Sequence, residues 1–139
     1  MRQHVEEIRV ESTGQGLIDF TSRVRAIVRR SHMTSGLCTV FIRHTSASLT
    51  IQENADPSAR RDLEMFIKKL VPEDDPDFTH THEGPDDMPS HIKAALTATS
   101  LGIPIMNGKL ALGTWQGIYL WEHRDAGSQR RVVVQLLGA

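Results

Sequence analysis

The sequence has few cysteines, no long apolar run and almost no net charge, and each of these absences argues against a class of protein. It contains one cysteine, Cys38, so no disulfide can form within the chain, and the apolar run around it predicts a place in the core. No apolar run approaches the ~18 residues of a membrane-spanning helix, and the first residues lack the apolar stretch of a signal peptide. The net charge is −1 with the histidines neutral, which argues against binding nucleic acid or membranes through bulk charge. We therefore expect a cytoplasmic protein without nucleic-acid or membrane partners.

The spacing of apolar residues predicts a single α+β domain over residues 1–139. Alternating apolar runs indicate strands, and apolar residues at helical spacing indicate amphipathic helices. The resulting order, β-α-β-β-α-α-β-β-β, favours a mixed, mostly antiparallel β-sheet or sandwich with about three helices. Asn107-Gly108 is a strong hairpin signal. The strands are expected at residues 4–11, 36–43, 44–51 after a tight connection, 103–107, 115–123 and 131–137.

The first helix is expected to carry an apolar stripe from Leu17 to Val28, after a turn at residues 13–16. Its other face carries a basic run, for which two interpretations exist. The run forms either a patch that binds phosphate or nucleic acid, or a solvated helix face, and the second is favoured. The run consists of Arg23, Arg25, Arg29 and Arg30.

The second helix is predicted to begin at Asp56-Pro57, because Asp caps free N–H groups and Pro fits the first helical turn. Val71-Pro72 ends it. Residues 72–90 are polar and form a long loop, which in a compact domain is usually functional or disordered. The third helix follows over Ile92 to Thr99, with Gly102 as its stop.

The loop from His80 to His91 is rich in residues that bind metals. Histidine offers a nitrogen lone pair at neutral pH and is the commonest borderline metal ligand. His44, His80 and His91 are the candidate ligands, with His82 as an additional candidate. The alternative is an exposed histidine-rich loop without a metal.

The same loop carries Glu83, Asp86 and Asp87. Such carboxylates can orient a histidine ligand, act as a general base or hold Mg²⁺ together with a substrate phosphate. We name these three as candidate catalytic residues. Negative charge at a helix N-terminus is the competing explanation, above all for Asp87.

Further polar residues could bind a phosphorylated small molecule. Hydroxyls and backbone N–H groups in a turn suit an anion, glycine-bracketed turns permit close approach of a ligand, and arginine forks match phosphate. A serine hydrolase is disfavoured, because no Gly-x-Ser-x-Gly elbow exists. The candidate substrate or phosphate ligands are Thr45, Ser46, Ser48, Asn54, Lys93, Thr114, Gln116 and Arg124.

Several of these segments together resemble the YjbQ-type family, also called the secondary thiamine-phosphate synthase family. The resemblance covers about residues 5–137. The segments are His44-Thr45-Ser46-Ala47-Ser48-Leu49, Glu53-Asn54, the run from Glu83 to Lys93, the run from Leu110 to Ile118, and Glu122-His123-Arg124.

The resemblance implies a homotrimeric α+β domain with sites between subunits, lined by the histidine-rich loop and often holding a metal. It also implies a weak, secondary transferase activity that joins a pyrimidine pyrophosphate to a thiazole phosphate. His44, His80 and His91 match the histidine positions of the family. Histidines favour Zn²⁺ or a similar ion, whereas a phosphorylated substrate also suits Mg²⁺. The alternatives are a metal- or small-molecule-binding protein and a metal-dependent hydrolase.

Overall fold

Eight strands and three helices make up the fold in the computed structural model, which describes residues 1–139. The order confirms an α+β protein with three helices. None of the helices has the length and apolar character needed to cross a membrane. The strands are β1 (Arg2–Glu11), β2 (Gly16–Asp19), β3 (Ser35–Ile42), β4 (Ala47–Glu53), β5 (Ser100–Met106), β6 (Lys109–Leu110), β7 (Gln116–Glu122) and β8 (Gln129–Gly138). The helices are α1 (Thr21–Ser31), α2 (Pro57–Leu70) and α3 (Asp87–Leu96).

The strands form two sheets, and every strand pair is antiparallel. The larger sheet has the order β1-β8-β3-β5-β6, and the smaller sheet has the order β2-β7-β4. The two strands nearest the C-terminus each have a partner on both sides, because β7 lies between β2 and β4 and β8 lies between β1 and β3. This arrangement confirms the mostly antiparallel fold predicted from the sequence.

The main core lies between the two sheets and beneath α1. Alternate residues of β3, namely Cys38, Val40 and Ile42, point into it and are buried, as period-two alternation requires. Cys38 is fully buried, and this burial raises the pKa of its thiol to about 12. A smaller apolar cluster on the other side of β7 packs against α2 and consists of Leu17, Ile67, Tyr119 and Trp121.

The start of α1 differs from the prediction. Leu17 was expected to begin the helical stripe, but it lies in β2, which pairs with β7, and packs against α2. The helix begins four residues later at Thr21. Asp19 explains the boundary, because its Oδ1 accepts a hydrogen bond of 2.9 Å from the backbone N–H of Thr21.

The ends of α3 also differ from the prediction. The helix begins at Asp87, within the segment expected to be loop, and ends at Leu96. The next residues turn away because the Ala98 carbonyl accepts a 2.7 Å hydrogen bond from the N–H of Leu49 in β4. Gly102, expected to stop the helix, lies inside β5.

Two local predictions are confirmed. Asp56 caps α2, accepting a 2.9 Å hydrogen bond from the N–H of Ser58, and Pro57 occupies the first turn. Asn107 and Gly108 have φ values of 52° and 77°, as a tight hairpin between β5 and β6 requires.

A buried ion pair joins the two sheets. Glu122 at the end of β7 is fully buried, and its Oε1 accepts a 2.8 Å hydrogen bond from Nε of Arg130 in β8. A second contact joins Nη2 of Arg130 to Oε2 of Glu122. Burial opposes ionisation of Glu122, but hydrogen bonds from Arg130 and Ser12 outweigh it, so the pKa of this carboxyl lies below its usual range. The pair fixes the end of β7, from which the chain enters the candidate site.

Candidate functional site

Four side chains converge where the long loop meets α3: His80, Glu83, Asp87 and His91. One ligating atom from each lies within 4.8 Å of all the others. Nε2 of His80 is 2.6 Å from Oδ2 of Asp87 and 2.9 Å from Oε2 of Glu83. Nε2 of His91 is 3.0 Å from the same Asp87 oxygen. We call this group the loop–α3 cluster.

The local sequence brings these side chains together. Asp87 and His91 are four residues apart on α3 and share one helix face. His80 and Glu83 reach them because the loop reverses at Gly84, whose φ is 103°. A side chain at Gly84 would be strained at that angle, and its Cβ would lie 3.1 Å from Oδ1 of Asp86.

Arg124, just after β7, holds the acidic side of the site. Its Nη1 donates a 2.6 Å hydrogen bond to Oδ1 of Asp87, and its Nε donates a 2.9 Å hydrogen bond to Oδ2 of Asp86. Nη2 donates to the backbone carbonyl of Glu83 at 2.9 Å. The sequence suggested Arg124 as a phosphate ligand, but its guanidinium is already engaged by the protein. Its place in the site is to orient Asp87 so that Oδ2 faces the histidines.

One ring nitrogen of His91 is held by the backbone. The carbonyl of Thr45 can only accept a hydrogen bond, and it lies 2.9 Å from Nδ1 of His91. Nδ1 therefore carries a proton and donates it to Thr45, which leaves Nε2, facing Oδ2 of Asp87, as the ring nitrogen directed at the cluster. This is the orientation that a backbone carbonyl imposes on metal-binding histidines.

The carboxylate of Asp87 and the neighbouring histidines stabilise each other's charged forms. Burial opposes ionisation of Asp87, but the hydrogen bond from His80 and the nearby His91 outweigh it, and the pKa of Asp87 is lowered. The hydrogen bond to Asp87 raises the pKa of His80. The site therefore holds a carboxylate that stays ionised beside a histidine that readily takes up positive charge.

Asp86 lies beside the cluster and outside it. Its carboxylate is occupied by Arg124 and by the backbone N–H of Asp125, which donates to Oδ2 at 2.8 Å. Asp86, predicted as a catalytic residue, therefore makes contacts with Arg124 and Asp125 here and does not point into the cluster. Glu83 and Asp87, also predicted as catalytic, stand among the potential metal ligands.

His44 does not join the cluster, although the sequence suggested it as a metal ligand. Its Nε2 accepts a 2.8 Å hydrogen bond from the N–H of Arg131, and its Nδ1 lies 3.4 Å from Nη1 of Arg130. Burial and the Arg130 charge lower the pKa of His44. His44 instead borders a cavity of about 220 Å³ beside the cluster, lined by His44, Thr45, His91, Ala94, Ala95 and Thr99.

Three other predicted residues are not placed to bind a ligand in the cluster. His82 is exposed and lies outside it. Lys93 is 2% exposed, and its Nζ donates to Oε1 of Gln15 at 3.2 Å. Ser46 faces Arg130 through its backbone carbonyl.

Asn54, Thr114 and Gln116 lie at the far end of the smaller sheet. Gln116 pairs with Glu53 at one end of the β4–β7 ladder, whereas the cluster is next to the other end. The ladder is seven residues long, which separates its ends by about 20 Å. Oε1 of Gln116 accepts a 2.7 Å hydrogen bond from the N–H of Gly113, so this side chain closes its own turn.

The sequence did not reveal a buried histidine beneath the site. His123 is 1% exposed, and its Nε2 lies 2.9 Å from Oγ of Ser48, which also receives a 2.6 Å hydrogen bond from Thr97. Ser48, predicted to bind a substrate, is thus fully buried. Burial lowers the pKa of His123 to about 3. No sequence pattern distinguishes this histidine from the exposed ones.

The neutral His123 predicts a dependence of stability on pH. Between pH 6.5 and about 3 the unfolded chain binds a proton at this position and the folded chain does not, so stability is lost as the pH falls. We expect this residue to contribute about 1.4 kcal/mol per pH unit to that loss. Urea unfolding at pH 7 to 4.5 should therefore show a steeper fall for the native chain than for His123→Gln. His82→Gln is the exposed control, and equal slopes for the native chain and His123→Gln would contradict the prediction.

Comparison with known proteins places this geometry in a family. A family model described as "UPF0047 protein YjbQ-like" matches residues 6–139. UPF0047 protein sll1880 of Synechocystis sp. is 55% identical over 137 residues, covering 99% of this chain and 93% of the relative. UPF0047 protein YjbQ of Escherichia coli O157:H7 is 50% identical over 103 residues, which are 74% of each chain.

Solved structures agree with the sequence matches. The crystal structure of a YbjQ-like protein from Sulfolobus solfataricus P2 has a TM-score of 0.90 at 27% identity and covers 99% of both chains. A YjbQ/UPF0047 family protein from Clostridium acetobutylicum has a TM-score of 0.84 at 38% identity, covering 96% of this chain and 99% of the other. Sequence and fold agree along the length of the molecule, and this chain belongs to the YjbQ-like UPF0047 family.

Proposed function

We propose that the loop–α3 cluster binds a divalent transition metal ion and that the protein uses this ion to act on a phosphorylated small molecule. The observation that carries the proposal is the convergence of two imidazole nitrogens and two carboxylates within 4.8 Å. Imidazole ligands favour Zn²⁺ and similar ions over Mg²⁺, which prefers oxygen ligands.

The surroundings of the cluster fit such an ion. Oδ1 of Asp87 is held by Arg124, which leaves Oδ2 for the ion, and Thr45 orients Nε2 of His91 towards the same point. The Glu83 side chain is 63% exposed, and its Oε2 lies 2.9 Å from Nε2 of His80. Asp87, His80 and His91 therefore suit the three fixed ligands of a catalytic site, and Glu83 is free to exchange with a substrate or to act as a base.

Metal binding is tested with untagged protein that is stripped by a chelator and dialysed against Zn²⁺. We expect about one ion per chain by elemental analysis, and background levels for the double variant His80→Ala/His91→Ala. Arg124→Gln should weaken binding about 10- to 100-fold, because it removes the group that orients Asp87. The matched control is His4→Ala/His82→Ala, which removes two exposed histidines outside the cluster. Equal metal content in the two double variants would rule out the cluster as the site.

The reaction that we propose is the joining of a pyrimidine pyrophosphate to a thiazole phosphate with release of pyrophosphate. The thiazole nitrogen forms a bond to the pyrimidine methylene carbon while the bond from that carbon to the pyrophosphate oxygen breaks. A bound metal supplies neutralisation of charge on the leaving pyrophosphate. The family resemblance and the cavity of about 220 Å³ next to His91 support this choice.

Hydrolysis is the second candidate, and the exposure of Glu83 favours it. A carboxylate that is free of Arg124 side-chain contacts and lies 2.9 Å from His80 can accept a proton from an attacking water. The same substrate then yields the pyrimidine alcohol and pyrophosphate without the thiazole phosphate.

One assay separates the two reactions. Protein from a host lacking its own synthase is given both substrates, and thiamine phosphate and the pyrimidine alcohol are quantified together. We expect the native chain to form thiamine phosphate. The rate of its formation should fall by at least about 100-fold in Asp87→Asn and in His91→Ala, and should be unchanged in His82→Ala. Alcohol alone, lost in Glu83→Gln, would establish hydrolysis instead. Neither product from a metal-loaded preparation would end both assignments.

We also propose that the protein assembles as a homotrimer through the outer face of the larger sheet. Soluble monomers rarely expose large continuous apolar patches, yet β3 and β8 place Leu37 and Leu137 opposite each other on that face, and Phe41 lies beside Val133. A neighbouring copy also offers a way to bring Asn54, Thr114 and Gln116 to a cluster that is about 20 Å away within one chain. The exposed apolar residues of this face are Val5, Leu37, Phe41, Met106 and Leu137.

The assembly is tested by light scattering during size-exclusion chromatography. We expect three times the chain mass of 15.5 kDa for the native protein and a single chain for Leu37→Glu/Phe41→Glu. Phe66→Glu, at a more exposed apolar position on α2, is the control and should remain trimeric. If the native protein had the mass of one chain, the proposed assembly would be refuted. If only the Phe66→Glu variant dissociated, the interface would lie on α2 and not on the larger sheet.

A further inference from the structure

A second cavity lies between α1 and the β5–β6 hairpin and shares no residue with the loop–α3 cluster. Its volume is about 330 Å³, at the lower end of the range for small-molecule sites, roughly 300–1,000 Å³. Three of its six lining residues are basic and none is acidic. The lining residues are Arg25, Val28, Arg29, Gly108, Lys109 and Leu110.

The sequence builds this cavity from two local features. Arg25 and Arg29 are four residues apart on α1 and therefore lie on the same helix face. The Asn107-Gly108 turn, with positive φ at both positions, folds Lys109 back towards that face. The turn is anchored by a 3.0 Å hydrogen bond from the N–H of Gly108 to the carbonyl of Thr34.

The basic run on α1 divides into residues with and without a partner. Arg30 forms an ion pair of 2.7 Å with Glu6, and Arg23 donates a 2.6 Å hydrogen bond to the carbonyl of Arg9. Arg25 and Arg29, which line the cavity, have no carboxylate within 4.0 Å and no side-chain hydrogen bond, and Lys109 likewise has neither. Three unpaired cations around one cavity repel one another, and an anion between them removes that repulsion.

We propose that this cavity binds a small phosphorylated organic anion. Guanidinium groups match phosphate oxygens in a bidentate manner, and the Arg25 and Arg29 forks and the Lys109 ammonium supply the charge. Val28 and Leu110 are buried apolar residues at the base of the cavity and contact the carbon part of the ligand. This site is separate from the proposed metal centre and does not depend on it.

Two other occupants fit the cavity less well. Proteins that bind single-stranded nucleic acid stack bases on aromatic side chains, and no aromatic residue lines this cavity. A second copy of the chain would bury three cations at an interface, which is costly unless each finds a partner.

The experiment uses the full chain as the double variant His80→Ala/His91→Ala with a chelator present, so that metal-bound phosphate does not contribute. Phenyl phosphate and inorganic phosphate are titrated by calorimetry and followed in amide NMR spectra. We expect both to bind, phenyl phosphate more tightly because of the apolar base of the cavity, with the largest shifts at Gly108 and Lys109. Adding Arg25→Gln/Arg29→Gln should weaken phenyl phosphate binding about tenfold or more.

The matched control adds Arg61→Gln/Lys69→Gln instead, which removes two exposed charges from α2. Its affinity should stay within about twofold of the parent, since long-range charge effects are screened at physiological salt. Three results would each overturn the proposal. They are no binding of phenyl phosphate in the millimolar range, an equal loss of affinity in the control, and amide NMR shifts confined to residues 80–91. The basic surface would be assigned to a macromolecule instead if single-stranded RNA bound and phenyl phosphate did not. A change of oligomer mass in the Arg25→Gln/Arg29→Gln variant would assign it to a second copy of the chain.

Discussion

The ion pair between Glu122 and Arg130 is the contact on which the rest of the site depends. It joins β7, the central strand of the smaller sheet, to β8, an inner strand of the larger sheet, and is almost fully withdrawn from water. A buried pair of this kind adds little net stability, but removal of one partner costs about 3–5 kcal/mol, because the other charge stays buried. The backbone N–H groups of His123 and Arg124 both donate to Glu122. The direction in which Arg124 leaves the sheet, and with it the orientation of Asp87, is therefore set by a contact in the protein interior.

The charge of the site follows from the same arrangement. Glu83, Asp86 and Asp87 bring three carboxylates to the start of α3, and Arg124 compensates only one of them. The helix N-terminus and a protonated His80 can offset part of the remainder. In the metal-bound form that we propose, a dication replaces the proton on His80 and balances the two negative charges that Arg124 leaves uncompensated. Arg124 itself positions a carboxylate, so a basic residue in such a cluster can serve the protein's own side chains.

Much of the fold could be predicted from apolar periodicity, because β3, β8 and α1 each bury one face and expose the other. The errors arose where a short apolar segment fits either periodicity. Leu17 lies at helical spacing from the α1 stripe, yet it pairs in β2, and only the position of β7 decides between the two. For the candidate site, the sequence indicated residue types that suit a ligand but not the contacts that each residue makes. The third helix was expected to begin only at Ile92, so the spacing of four between Asp87 and His91 along α3 was not apparent. The hydrogen bonds that occupy His44 come from Arg130 and Arg131, more than eighty residues away in the sequence.

The topology has a consequence for the order in which the molecule can form. The smaller sheet cannot exist without β7, and β1 has no partner until β8 is in place, since Arg2 near the start of the chain lies opposite Gly138 near its end. Contacts between residues so far apart in sequence form slowly, because the loop between them must first be closed. Arg124 lies between these two late strands. A chain in which only the first hundred residues have folded carries both histidines of the cluster, but it has no guanidinium to hold Asp87, so the site is assembled in the last stage of folding, together with the closing of the two sheets.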